Sequence, residues 1–125
     1  MPRYTIVIVD DEEELRDNLQ DLLEFKGYSV VSFDSGEEML KAIDSIRADM
    51  ALLDFLLPGM DGLELYAHLQ KKKPNLPVAL VTASSHKDTL SQARQAGVNR
   101  VILKPYSHTD ILQAVEEMLG ESNIH

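Results

Sequence analysis

The sequence predicts an α/β fold built from five strand–helix units, with a parallel sheet covered by helices on both sides. Three observations carry this expectation. Short aliphatic runs alternate strictly with segments of helical periodicity. The runs are apolar at consecutive positions, as in strands buried on both faces. Glycines and small polar residues punctuate the helical segments where caps are required.

Taken in order, the first strand is expected over Thr5–Val9, followed by a helix marked by Leu15, Leu19, Leu22 and Leu23 and closed by Gly27. The second strand is Ser29–Phe33. Ser35 can then cap a helix carrying Met39, Leu40 and Ile43. The third strand, Met50–Leu53, leads to a helix with Leu63, Tyr66 and Leu69, and the fourth is Val78–Val81. Leu90 and Ala93 mark a weaker helix ended by Gly97. Arg100–Leu103 is the fifth strand, and Ser107 or Thr109 caps a last helix with Ile111, Leu112, Val115 and Leu119.

The chain has 125 residues, 44% of them hydrophobic, which suits one domain around a single core, here residues 1–125 with the core at about 4–119. A formal net charge of -9 argues against direct nucleic-acid binding, whose affinity comes largely from Lys and Arg. Without cysteine, disulfides, thiolate metal sites and cysteine nucleophiles are excluded. Apolar runs of about five residues fall far short of the roughly 20 needed to span a bilayer. A soluble cytoplasmic protein is expected, with no membrane partner.

In an open parallel sheet ordered 2-1-3-4-5, ligands bind beyond the carboxyl ends of the strands, where the order reverses between the first and third. That edge receives Asp10 and Asp11 from the first strand and Asp54 from the third. Carboxylates so gathered repel one another unless a cation joins them. Carboxylates plus water suit a hard divalent ion, magnesium first, with manganese or calcium as looser substitutes. Lys104 and Thr82 end the fifth and fourth strands at the same edge. Three aspartates and one lysine sum to a charge that one divalent cation cancels. An ammonium, a hydroxyl and a metal around a carboxylate can stabilise a phosphoryl group arriving on Asp54.

Each residue also has a plainer reading. Glu12–Glu14 read as a solvated helix start favoured by the helix dipole. Asp54 alone could be a turn residue, Thr82 an ordinary strand residue and Lys104 a surface lysine. His68, His86, His108 and His125 lack metal-ligand spacing, and the five methionines read as filler. A phosphohydrolase working through an aspartyl phosphate would want a proton-transferring residue at Leu56. A flavin- or nucleotide-binding module would want a Gly- or Ser-rich loop where this chain has DDEEE.

With Asp10–Asp11, the segment LLDFLLPGMDG at 52–62, Thr82 in LVTAS and Lys104–Pro105 in ILKPY all in register, the chain resembles the response-regulator receiver domains of two-component signalling over nearly its full length. The resemblance implies a flavodoxin-like three-layer sandwich and a phosphoacceptor at Asp54. Asp11 and Asp54 would bind Mg2+ directly, Asp10 through water, and the Leu56 backbone carbonyl would complete the protein ligands. Thr82 and Lys104 would bind phosphoryl oxygens, with the bond between Lys104 and Pro105 cis, an isomer that proline permits. Pro58, Gly59, Asp61 and Gly62 would shape the loop after the acceptor.

The implied donor is a sensor histidine kinase or a histidine phosphotransfer protein. The implied readout is a changed face around the fourth helix, fifth strand and fifth helix, contacting a downstream protein or output domain, or forming a phosphorylation-dependent homodimer. Such a domain catalyses only its own phosphorylation and dephosphorylation. The chain end suits either a stand-alone receiver or one whose output domain was removed. One departure is Val101, which stands where the family usually has the aromatic residue that reports phosphorylation. The readout then needs other side chains, with Tyr106 as a candidate.

Overall fold

A computed structural model of the chain describes residues 3–83 and 87–120. The elements are β1 (Thr5–Val9), α1 (Glu13–Phe25), β2 (Ser29–Phe33), α2 (Gly36–Ala42), a 3-10 turn (Ile43–Ser45), β3 (Met50–Asp54), α3 (Gly62–Lys72), β4 (Val78–Thr82), α4 (Lys87–Ala96), β5 (Arg100–Leu103) and α5 (His108–Leu119). The five strands form one sheet in the order β2-β1-β3-β4-β5, every pair parallel. The doubly wound fold expected from the alternation is therefore present.

Side-chain alternation along the inner strands divides the core in two. Ile6 and Ile8 of β1, Met50 and Leu52 of β3, and Ala79 and Val81 of β4 face α1 and α5, packing on Leu19, Leu23, Ile111, Ala114 and Val115. Val7, Val9, Ala51, Leu53, Val78 and Leu80 face the opposite layer, built by Met39, Ile43, Leu65, Tyr66, Leu69 and Ala93. This two-sided burial makes the strands continuously apolar in the sequence. The edge strand β2 is half-buried throughout.

Several boundaries differ from expectation. β3 and β4 each run one residue further, taking in Asp54 and Thr82, because hydrogen bonds persist there: Phe55 N donates to Val81 O at 2.8 Å and Lys104 N to Thr82 O at 2.8 Å. The second helix tightens into the 3-10 turn at Ile43. Ser35 is an N-cap, accepting from Glu38 N at 3.2 Å. Ser107 and not Thr109 caps α5, in a box where Asp110 N donates to Ser107 Oγ and Ser107 N to Asp110 Oδ2. Ser107→Ala removes one acceptor from an otherwise orphaned amide and should cost about 1 kcal/mol, read as a lower urea midpoint with unchanged slope.

Gly27 and Gly97 follow their helices with φ of 100° and 93°, the left-handed conformation expected of helix-ending residues. Met39 and Met50 are fully buried, as filler would be, and His68 and His108 are exposed. Met1, Ser84, His86 and His125 lie outside the described residues.

Candidate functional site

The fold delivers the four strand-end residues to one place. Asp10 follows β1, Asp54 ends β3, Thr82 ends β4 and Lys104 follows β5. Backbone bonds hold each end: Asp10 N donates to Phe33 O at 3.1 Å, alongside the Phe55–Val81 and Lys104–Thr82 bonds. The Lys104–Pro105 peptide is cis, as the resemblance implied.

The loop after Asp54 returns tightly. Gly59 has φ of 80°, which suits a turn glycine. Asp61 caps α3 in a box with Glu64, a more specific role than the turn residue expected. Gly62, also expected in the turn, is the first residue of α3, and its amide donates to Phe55 O at 2.8 Å.

Carboxylate oxygens of Asp10, Asp11 and Asp54 lie within 4.8 Å of one another. Asp10, Asp54 and Thr82 are 4%, 5% and 2% exposed, whereas Asp11 is open to solvent. Lys104 Nζ lies 3.2 Å from Asp54 Oδ1 and 3.9 Å from Glu12 Oε1. Asp11, Glu12, Asp54, Leu56, Thr82, Ala83 and Lys104 line a cleft of about 360 Å³. Larger depressions of about 410 and 630 Å³ lie elsewhere and hold none of these residues. An all-oxygen set of carboxylates beside an open cleft fits a hard divalent cation that retains water ligands. Leu56, which is 70% exposed, borders the same cleft.

Burial raises the carboxyl groups of both Asp10 and Asp54 above their ordinary value of 3.8. A backbone bond from Glu12 N, 2.9 Å from Asp10 Oδ1, and the Lys104 ammonium beside Asp54 oppose that rise without cancelling it. Folding thus favours the protonated acids, so the metal-free protein loses stability as pH climbs through their folded-state range. Asp10→Asn keeps the oxygen that Glu12 N requires but removes the charge. Its melting midpoint in chelator should exceed that of wild type by an amount that grows as pH rises above the ordinary carboxyl value of 3.8 and levels off once Asp10 is fully ionised in the folded protein. A constant difference across that range would contradict the electrostatic origin.

The plain reading of Glu12–Glu14 holds, since all three are exposed at the start of α1. Glu12, still largely exposed, also borders the cleft, with Lys104 Nζ 3.9 Å from its Oε1. One further group, Arg16, has no motif to betray it, whereas Tyr106 is already a candidate for the readout. Arg16 Nη1 donates to the Asp10 backbone carbonyl at 2.7 Å. Tyr106 packs partly against the α1/α5 side of the core, and burial, with Asp10, Asp54 and Glu12 nearby, pushes its hydroxyl up to about 12. Val101 packs partly buried against the opposite core layer.

Comparison with known proteins agrees with this geometry. The chain is 33% identical over 119 residues to the alkaline phosphatase synthesis transcriptional regulatory protein PhoP of Bacillus subtilis, covering 95% of this chain and 50% of PhoP. It spans half or less of the curated relatives it matches, about a quarter of several. A CheY-like response regulator receiver domain protein from Methanospirillum hungatei superposes with a TM-score of 0.91 at 32% identity, covering 96% of both chains. The response regulator TrrA of Thermotoga maritima, in complex with Mg2+–BeF, gives 0.83 at 31% identity, covering 93% of this chain and 99% of that one. Among the described residues no helix is long and apolar enough to cross a membrane. Residues 6–116 match the family described as the response regulator receiver domain, and the chain belongs to that family.

Proposed function

We propose that Asp54 accepts a phosphoryl group from a histidine kinase or histidine phosphotransfer partner. The observation that carries this reading is the half-open cleft in which Asp54 meets Lys104 at 3.2 Å and the carboxylates of Asp10 and Asp11 within 4.8 Å. An Asp54 carboxylate oxygen attacks phosphorus as the bond to the donor imidazole breaks, and the electron pair leaves on that nitrogen, which then takes up a proton. The Lys104 ammonium moves from the carboxylate to a phosphoryl oxygen, and the Thr82 hydroxyl donates to another. Both oppose the charge that spreads over the transferring group.

Mg2+ is the cation the site suits, with Asp10, Asp11, Asp54 and the Leu56 carbonyl as its holders, and it would neutralise phosphoryl oxygens during transfer. Mn2+ and Ca2+ offer the same charge with looser geometry. The Mg2+–BeF of the Thermotoga relative supports the assignment, since beryllium fluoride is a tetrahedral anion shaped like a phosphoryl group.

Phosphorylation acts as a population shift, because the new group favours whichever conformation brings Thr82 and Lys104 onto it. Thr82 leads toward α4 and Lys104 toward α5, so the α4–β5–α5 face is where a downstream protein, an output domain or a second copy would sense the change. Tyr106 beside the carboxylates, in place of an aromatic at Val101, is the side chain through which we read the switch. Residues 1–125 act as one cytoplasmic signalling unit that transforms no separate substrate.

Intact-mass measurement after incubation with acetyl phosphate tests this reading. With Mg2+ the protein should gain one labile phosphoryl group, and with chelator none. Uptake that persists in chelator would overturn the metal's role. No uptake under any condition would leave a receiver fold that binds metal or protein without phosphorylation.

A further inference from the structure

We infer that Arg16 is a positioning residue for the divalent cation, acting through the peptide that joins Asp10 to Asp11; the inference rests on the metal-binding reading above. Arg16 lies in the first turns of α1, partly buried, with its amide bonded to Glu12 O at 2.9 Å. Its Nη1 returns to the Asp10 carbonyl at 2.7 Å. Because a peptide unit is planar, holding that oxygen also sets the orientation of the Asp11 amide and so the departure of the Asp11 side chain.

The two aspartates depend on this hold unequally. Asp10 is fixed three ways, by its amide to Phe33 O, its carboxylate to Glu12 N and its carbonyl to Arg16. Asp11 is exposed and no hydrogen bond among the described residues anchors its carboxylate, so the placement of its Cα–Cβ bond by the backbone is what limits where that carboxylate can reach. The guanidinium bond stands directly upstream of that backbone. Residues that orient ligands without touching the metal commonly govern affinity by one to two orders of magnitude.

The charge count around the cleft agrees. Glu12, absent from the strand-end set, adds one negative charge beside Lys104, and Arg16 adds one positive charge, so the balance of three aspartates against Lys104 is preserved. Arg16 supplies its charge while bonded to a backbone carbonyl, not to a ligand carboxylate. Lys104, in contrast, occupies Asp54 Oδ1 directly. Arg16 thus offsets repulsion without competing for metal-binding oxygens.

Electrostatics alone and positioning predict opposite signs. Deleting a nearby positive charge should tighten binding of a cation; loosening the Asp10–Asp11 peptide should weaken it. The full 125-residue chain, Arg16→Ala and Arg16→Lys would be titrated with magnesium chloride by calorimetry, with melting midpoints recorded in chelator. Positioning predicts affinity about tenfold weaker in Arg16→Ala, within about threefold of wild type in Arg16→Lys, and little change in the metal-free midpoints. Unchanged or tighter binding in Arg16→Ala overturns the inference. So does weakening shared by both variants with a matching fall in midpoint, which marks a folding defect. A wild type that binds no magnesium removes the metal-site reading and this inference together, whereas a binding wild type with an unaffected Arg16→Ala removes only the inference.

Discussion

Asp54→Asn will carry no phosphoryl group under conditions that label wild type, a loss of at least about a hundredfold, because a neutral amide has neither the anionic oxygen of a carboxylate nor a free nitrogen lone pair to attack phosphorus. Asparagine matches aspartate in volume, so the buried end of β3 keeps its packing, and the Phe55–Val81 backbone bond that holds it involves no side chain. The change also deletes a carboxyl group that burial disfavours in its charged form. The metal-free variant should therefore melt no lower than wild type, although Lys104 loses its 3.2 Å partner. Labelling that survives at full extent would move the acceptor elsewhere, with Asp10 and Asp11 the nearest carboxylates. Labelling lost together with the fold would say nothing of chemistry, so circular dichroism should accompany the mass measurement.

Gly62→Ala is expected to be the most damaging small substitution in the protein. A Cβ at this position would stand 2.7 Å from Asp54 O, 2.8 Å from Leu80 Cδ1 and 2.9 Å from Phe55 Cα. Two of those neighbours are backbone atoms of residues 54 and 55, so the clash cannot be relieved by turning a side chain. We expect a loss of about 3 kcal/mol, roughly a 10 °C fall in melting midpoint, with phosphoryl uptake reduced beyond the unfolded fraction because the Asp54 backbone must shift. Gly120→Ala is the control. Nothing lies within 4 Å of a Cβ there, and its φ of 75° carries only the conformational cost of about 1 kcal/mol. Equal losses in the two variants would contradict the close-approach argument.

The contrast between Gly62 and Asp54 shows where the sequence is legible. Asp54, Thr82 and Lys104 are readable because each ends an aliphatic run, and a parallel sheet delivers such ends to one edge. The strand limits were set one residue short at Asp54 and Thr82, since polar residues end an apolar pattern before they end a hydrogen-bond ladder. Gly62 looks like any turn glycine in LLPGMDG; only the approach of α3 to the end of β3 reveals what a methyl group would meet there. Ser107 and Thr109 are equivalent caps by residue type, and the helix start at His108 decides between them. Glu12 was hidden inside an acidic run, and Arg16 inside an amphipathic helix. Their bonds depend on how the chain turns between β1 and α1, and periodicity does not encode that turn.

The site draws one member from the end of each of four strands, at positions 10, 54, 82 and 104, spread over most of the chain. No hairpin or single strand–helix unit contains more than a fraction of it. On the proposed reading, a chain whose sheet has not yet joined these strands lacks part of the set that phosphoryl transfer to Asp54 requires. Under that proposal quality control is built into the wiring: a message is written only on a molecule in which the ends of β1, β3, β4 and β5 have come together.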